Sequence, residues 1–139
     1  MAQLRLALNQ LNVTVGDIDG NADKIVSWTR HAAERGAHLV AFPEMALTGY
    51  PVEDLALRRS FVDASQAGIT KLAARLADEG FGETVVVCGY LDRALGAAMG
   101  VDRLGRPKGS PTNAAAVMHR GSVVGRYANP RFTAPASPV

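Results

Sequence analysis

The segment His38-Leu39-Val40-Ala41-Phe42-Pro43-Glu44 sets the reading of the whole chain. Its apolar run is the length of a buried strand, and Pro43 ends it directly before a carboxylate. Upstream, Gly36 is placed to stop a helix that reaches back from about Arg35 to a cap at Asp19 or Asn21. The apolar stripe of that helix is Ala22, Ile25, Val26, Thr29 and Ala33. Before it, Leu4, Leu6 and Leu8 alternate with Arg5 and Ala7, the period of a strand. A strand, a helix and a strand in that order require parallel strands joined by a right-handed crossover. The chain is therefore expected to be α/β.

Working outward, a second helix is expected from Phe61 to about Asp78, with Ile69, Leu72, Ala73 and Leu76 on one face. Thr84 to Tyr90 is continuously apolar and β-branched, as in a central strand covered on both faces. Residues 93–111, rich in Gly, Pro and Arg, read as an exposed excursion. Asn113–His119 and Ser122–Tyr127 flank Arg120-Gly121 as a hairpin. Four or five strands with two helices leave a sheet face and an edge to cover, so a missing partner is expected.

Composition narrows the function. The 139 residues are 47% hydrophobic and 20% charged, with a net charge of +2, which fits a globular chain. Residues 92–139 carry 7 basic and 2 acidic side chains, but the basic ones are scattered with little aromatic interleaving. No nucleic-acid partner is expected. No apolar run approaches the roughly 20 residues of a membrane span, and Met1 to Leu6 opens no secretory signal, so the chain is expected to be cytoplasmic.

Several motifs fail on their chemistry. Gly80-Phe81-Gly82 lies between a helix and a strand, the reverse of a dinucleotide turn. Gly100 to Gly105 has Walker spacing but continues with Arg106-Pro107 in place of Lys-Ser/Thr. His31, His38 and His119 do not share a ligating face, so no metal site is expected. Cys88, the single cysteine, sits in an apolar strand and reads as a small buried hydrophobe. That leaves Glu44. In open α/β sheets sites gather beyond the carboxyl ends of parallel strands, where Glu44 stands. Enclosure among apolar side chains would favour its protonated form and suit a general base; a strand-end or short-helix cap is the competing reading.

Asn9 to Asn21, Phe42-Pro43-Glu44-Met45 and Leu47-Thr48-Gly49-Tyr50-Pro51 resemble the start of the nitrilase (carbon–nitrogen hydrolase) superfamily. Tyr50 to Leu55, Pro111 to Ala116 and Gly125-Arg126-Tyr127-Ala128 are similar to the glutaminase domains of glutamine-dependent NAD⁺ synthetases. The resemblance covers residues 3–128. It implies the N-terminal half of an α-β-β-α sandwich over residues 1–128, followed by an unstructured divergent tail over 129–139. It also implies homo-oligomers through an outer face of the sandwich, and L-glutamine as the parent enzyme's substrate. The implied chemistry is amide hydrolysis by a Glu-Lys-Cys triad, with Glu44 as the base. Asn129 stands where the family has its lysine, and the nucleophilic cysteine belongs beyond residue 139. A reading-frame change or truncation near codon 128 would account for the abrupt departure, and the chain alone is then expected to be inactive. No cofactor is expected here, because ATP and Mg²⁺ belong to the parent's separate synthetase domain. A non-catalytic module that pairs with intact subunits, or another amidase of the superfamily, are the alternatives. Half a sandwich leaves apolar strand faces in water, so poor solubility or oligomers are expected.

Overall fold

The computed structural model describes residues 1–93 and 111–129. Of the excursion expected over 93–111, Arg93 and Pro111 are instead paired strand residues, and of the tail expected over 129–139, Asn129 donates its N–H to the Asn113 carbonyl at 2.8 Å; the rest of both segments lies outside the described residues. The elements are β1 (Leu6–Leu8), α1 (Ile18–Glu34), β2 (Leu39–Ala41), a 3₁₀ turn (Glu53–Leu57), α2 (Arg59–Asp78), β3 (Val85–Arg93), β4 (Pro111–His119) and β5 (Ser122–Ala128). One sheet holds all five strands in sequence order. Leu6 pairs with Leu39 and Leu39 with Val85, both in parallel, so the expected β-α-β unit is present. β3, β4 and β5 then run antiparallel as a meander.

The helix start needs correcting. Asp17, not Asp19 or Asn21, caps α1, and its side chain accepts the Gly20 N–H at 2.9 Å. Asn21 is instead fully buried one turn inside the helix. The buried stripe is Asn21, Ile25, Val26, Thr29 and Ala32, with Ala32 in the place expected for Ala33. α2 buries Ile69, Leu72, Ala73 and Leu76 as its spacing predicts. Both helices cover one side of the sheet, where Val40, Val86, Cys88, Tyr90, Ala116 and Met118 complete the core. Each large aliphatic side chain buried there contributes about 1.5–3 kcal/mol.

Among the described residues no helix covers the sheet's other side, so the first half of β3 is not buried on both faces as expected, whereas Gly89 and Leu91 are buried there beneath the segment that follows β2. Val85 and Val87 alternate with fully buried Val86 and Cys88, yet are themselves only half-buried. On β1 the leucine row points away from the helices, leaving Leu8 80% exposed while Ala7 packs against the core. The hairpin between β4 and β5 turns at Arg120 and Gly121, which both have positive φ (51° and 82°). Such a turn matches the right-handed twist of the strands it joins.

Candidate active site

β2 ends at Ala41, and the chain leaves the sheet through a compact turn that carries Glu44. Backbone bonds fasten that turn to β3: Phe42 N–H donates to the Val87 carbonyl at 2.8 Å, and Leu47 N–H to that of Gly89 at 3.1 Å. Met45 adopts a left-handed φ of 53°, which helps send Met45, Ala46 and Leu47 inward while Glu44 stays outside. Asn21 braces the turn from the helix side. Its amide donates to the Leu47 carbonyl at 3.0 Å and the Thr14 carbonyl at 2.8 Å, and its oxygen accepts the Thr14 N–H at 2.9 Å.

Close approach to β3 is what sets the height of Glu44 above the sheet. At Gly89 a Cβ would stand 2.5 Å from the Pro43 oxygen, 2.5 Å from the Met45 nitrogen and 2.7 Å from the Glu44 Cα. Only a residue without a side chain lets the turn settle there.

Glu44 is exposed, at the C-terminal end of β2. The expected enclosure among apolar side chains is absent, because its apolar sequence neighbours turn the other way. From β4, the Asn113 side-chain amide donates to Glu44 Oε1. Asn113 in turn accepts the Asn129 backbone N–H on its carbonyl at 2.8 Å. By strand alternation, position 129 continues the row of Tyr127 on the same face as Asn113. Three elements thus meet at one corner: the Glu44 turn, β4 through Asn113, and the end of β5 through residue 129.

A carboxylate on a turn beyond a parallel strand, above the open face of such a sheet, agrees with the match of residues 5–137 to the carbon–nitrogen hydrolase family. The chain belongs to that family. It is similar to the glutamine-dependent NAD⁺ synthetase of Thermotoga maritima, with 37% identity over 127 residues, 91% of this chain and 19% of that protein. The chain spans about a fifth of the length of the curated relatives it matches. A glutamine-dependent NAD⁺ synthetase from Cytophaga hutchinsonii superposes with a TM-score of 0.74 at 21% identity, over 92% of this chain and 19% of that one. A mutant amidase from Nesterenkonia sp. AN1, with an acetamide moiety covalently added at its active-site cysteine, superposes at 0.67 and 21% identity, over 95% of this chain and 45% of that one. The likeness to both structures is one of fold.

The remaining candidates of this carbon–nitrogen hydrolase chain lie elsewhere. Cys88 is on the helix side of β3, 0% exposed. Burial pushes its thiol up to about 12, so it is held as the neutral S–H. A thiol reagent such as DTNB is expected to leave Cys88 unlabelled in the native protein at neutral pH, and to label it stoichiometrically in denaturant. Rapid native labelling would contradict this placement. His38 accepts the Arg5 backbone N–H on Nδ1 at 2.9 Å, which fixes a structural role for it. His119 lies 3.9 Å from Glu83, and His31 packs against the Trp28 ring. Among the described residues no three His, Cys, Asp or Glu side chains gather as a metal cluster, and no helix is long and apolar enough to cross a membrane.

The sequence does not disclose the supporting roles of three residues: Asn21, expected there as a cap, Gly89, and Asn113, which stands in one of the family-like segments. Behind the corner, on the helix side, lies a buried polar cluster. Asp92, 3% exposed, accepts Gln66 Nε2 at 2.6 Å, the Arg93 N–H at 2.8 Å and the Tyr90 hydroxyl, with Arg126 at 3.7 Å. This cluster ties α2 to β3 and β5 just below the Glu44 turn.

Proposed function

We propose that this chain carries the general-base part of a glutamine amidohydrolase of the kind that supplies ammonia for NAD⁺ synthesis, and that it does not complete the hydrolytic machinery by itself. The observation that carries the reading is the corner where Glu44, Asn113 and position 129 converge. There Asn113 holds one oxygen of the Glu44 carboxylate in place. The other makes no hydrogen bond among the described residues and is disposed to take a proton from an incoming thiol or water. Position 129, on the same face, is where a fixed positive charge would face the oxyanion of an attacked amide. Asn129 brings no such charge, and the loss of an oxyanion donor typically costs on the order of 100- to 1,000-fold in rate. The nucleophile has to come from outside these residues, since Cys88 is buried on the wrong side of the sheet with its thiol protonated. Of the similar proteins, the Nesterenkonia amidase uses an active-site cysteine. ATP and Mg²⁺ have no role in this step.

Two assays test the reading. The chain with L-glutamine is expected to release no more ammonia than its Glu44→Gln variant; turnover that depends on Glu44 would overturn the claim of inactivity. A chimera that continues from position 129 with the Thermotoga relative's sequence is expected to hydrolyse glutamine and to lose that activity on Glu44→Gln. A folded chimera without Glu44-dependent activity would overturn the assignment of Glu44.

The second reading is a non-catalytic module that joins intact subunits through the outer helical face. Trp28 favours it, standing 45% exposed on α1 with its ring 5.5 Å from that of His31. A large aromatic on an outward helix face is a common anchor of protein interfaces.

A further inference from the structure

We propose, resting on the assignment of Glu44 as the base, that Asn113 is its positioning residue. The neutral amide of Asn113, presented from a strand paired on both edges, decides which Glu44 oxygen stays free and where it stands relative to position 129.

Glu44 cannot orient itself. It stands exposed on a turn outside the sheet, and among the described residues its carboxylate has no hydrogen-bond donor other than Asn113. The backbone bonds from Phe42 to Val87 and from Leu47 to Gly89 hold the turn on either side of Glu44 but leave its carboxylate untouched. A long side chain so placed samples several staggered rotamers unless something fixes it.

Asn113 is held far more firmly. It lies on β4, between β3 and β5 in the sheet. Leu91 is its register partner on β3, and on the other edge its carbonyl accepts the Asn129 N–H at 2.8 Å. Its side-chain amide is therefore a fixed point against which Glu44 is set. The residue that bonds Glu44 through its side chain also ties down position 129 through its backbone. The spacing from the base to position 129 thus passes through one residue.

The amide suits this task chemically. A neutral N–H engages Oε1 and leaves the carboxylate its charge and Oε2 its lone pairs. Lysine or arginine at 113 would pair with the carboxylate as a whole and compete with the proton it has to take. Aspartate would have no proton to give and would set a like charge beside Glu44. Asparagine is the side chain of this size that donates without bringing a charge.

Measurements on two proteins test this. In the 139-residue chain, vicinal NMR couplings to the Glu44 Cγ are expected to report a single χ1 rotamer. Averaged couplings are expected in Asn113→Ala and in Asn113→Asp, which keeps the size of asparagine but not its donor. Averaging already present in the unsubstituted chain would overturn the proposal, as would a single rotamer kept in both variants. In the chimera continued with the Thermotoga relative's sequence, both substitutions are expected to lower kcat about 100-fold with KM changed less than about twofold, the scale of a misplaced catalytic group. A merely structural role would spare the near-isosteric Asn113→Asp. Retained kcat in that variant, or a loss confined to KM, would therefore overturn the proposal too. A folded chimera inactive before any substitution counts against Glu44 as the base, and the couplings in the 139-residue chain still decide whether Asn113 holds it.

Discussion

Gly89→Ala is expected to lower stability by about 3 kcal/mol, the upper end of the usual cost of overpacking. The added methyl group meets three backbone atoms of the Glu44 turn at 2.5–2.7 Å, and backbone has no rotamer to escape into. Something must move. β3 is held on both sides by β2 and β4, whereas the turn is fastened by Phe42 N–H to Val87, Leu47 N–H to Gly89, and the Asn21 side chain. The turn is therefore the part that gives way, and the Asn113–Glu44 hydrogen bond goes with it. Gly125→Ala is the matched control. Its Cβ would lie 3.6 Å from Val117 Cβ, an ordinary contact, so a change within about 0.5 kcal/mol is expected. Urea unfolding followed by circular dichroism measures both, and the Asn113 side-chain amide resonances report on the corner. Equal stabilities for the two variants would show that the turn does not sit against β3 as described.

The contrast between these glycines shows what the sequence could and could not disclose. Periodicity identifies the β-α-β unit because strand and helix repeats differ, and Gly36 marks where one gives way to the other. It does not say which side of a strand the helices take. On β1 both the leucine row and Ala7 are apolar, and it is Ala7 that packs against the helix-side core while Leu6 and Leu8 stand exposed. The same limit applies at the site. Strand-Pro-Glu places Glu44 at the right end of the sheet. Its exposure depends on the left-handed residue at Met45, which local composition does not report. Gly89 sits unannounced inside an apolar run because its constraint comes from a segment some 45 positions away. Asn113 is likewise a long-range partner of Glu44. Asp17 beat Asp19 and Asn21 to the helix start because Asn21 is engaged with Thr14 and Leu47, which leaves the cap to the residue one turn earlier.

Asp92→Ala is expected to cost roughly 3–4 kcal/mol, because it strands several buried partners at once. Gln66 Nε2 and the Tyr90 hydroxyl lose their acceptor, and Arg126 loses its nearby carboxylate. Arg126 is partly exposed and recovers water, so most of the loss falls on Tyr90 and Gln66. Tyr90→Phe removes one donor and leaves Asp92 its other contacts, so about 1 kcal/mol is expected. A double-mutant cycle between the two isolates their coupling. The cluster also gives the stability a pH signature. Burial first, and the neighbouring Asp92 second, raise the Tyr90 phenol above its ordinary value of 10.0. Cys88 is raised from 9.0 to about 12 by burial. Both groups are neutral in the fold and ionise more easily in the unfolded chain. Their contribution is therefore complete below about pH 9 and is lost progressively as pH rises through and above the unfolded values. Each group can add a slope of at most about 1.4 kcal/mol per pH unit. Tyr90→Phe should remove one such slope above pH 10, and Cys88→Ala the other, which begins about one unit lower. Urea titrations between pH 8 and 11 read both; an alkaline slope that neither substitution reduces would mean that these two groups are not held protonated by the core.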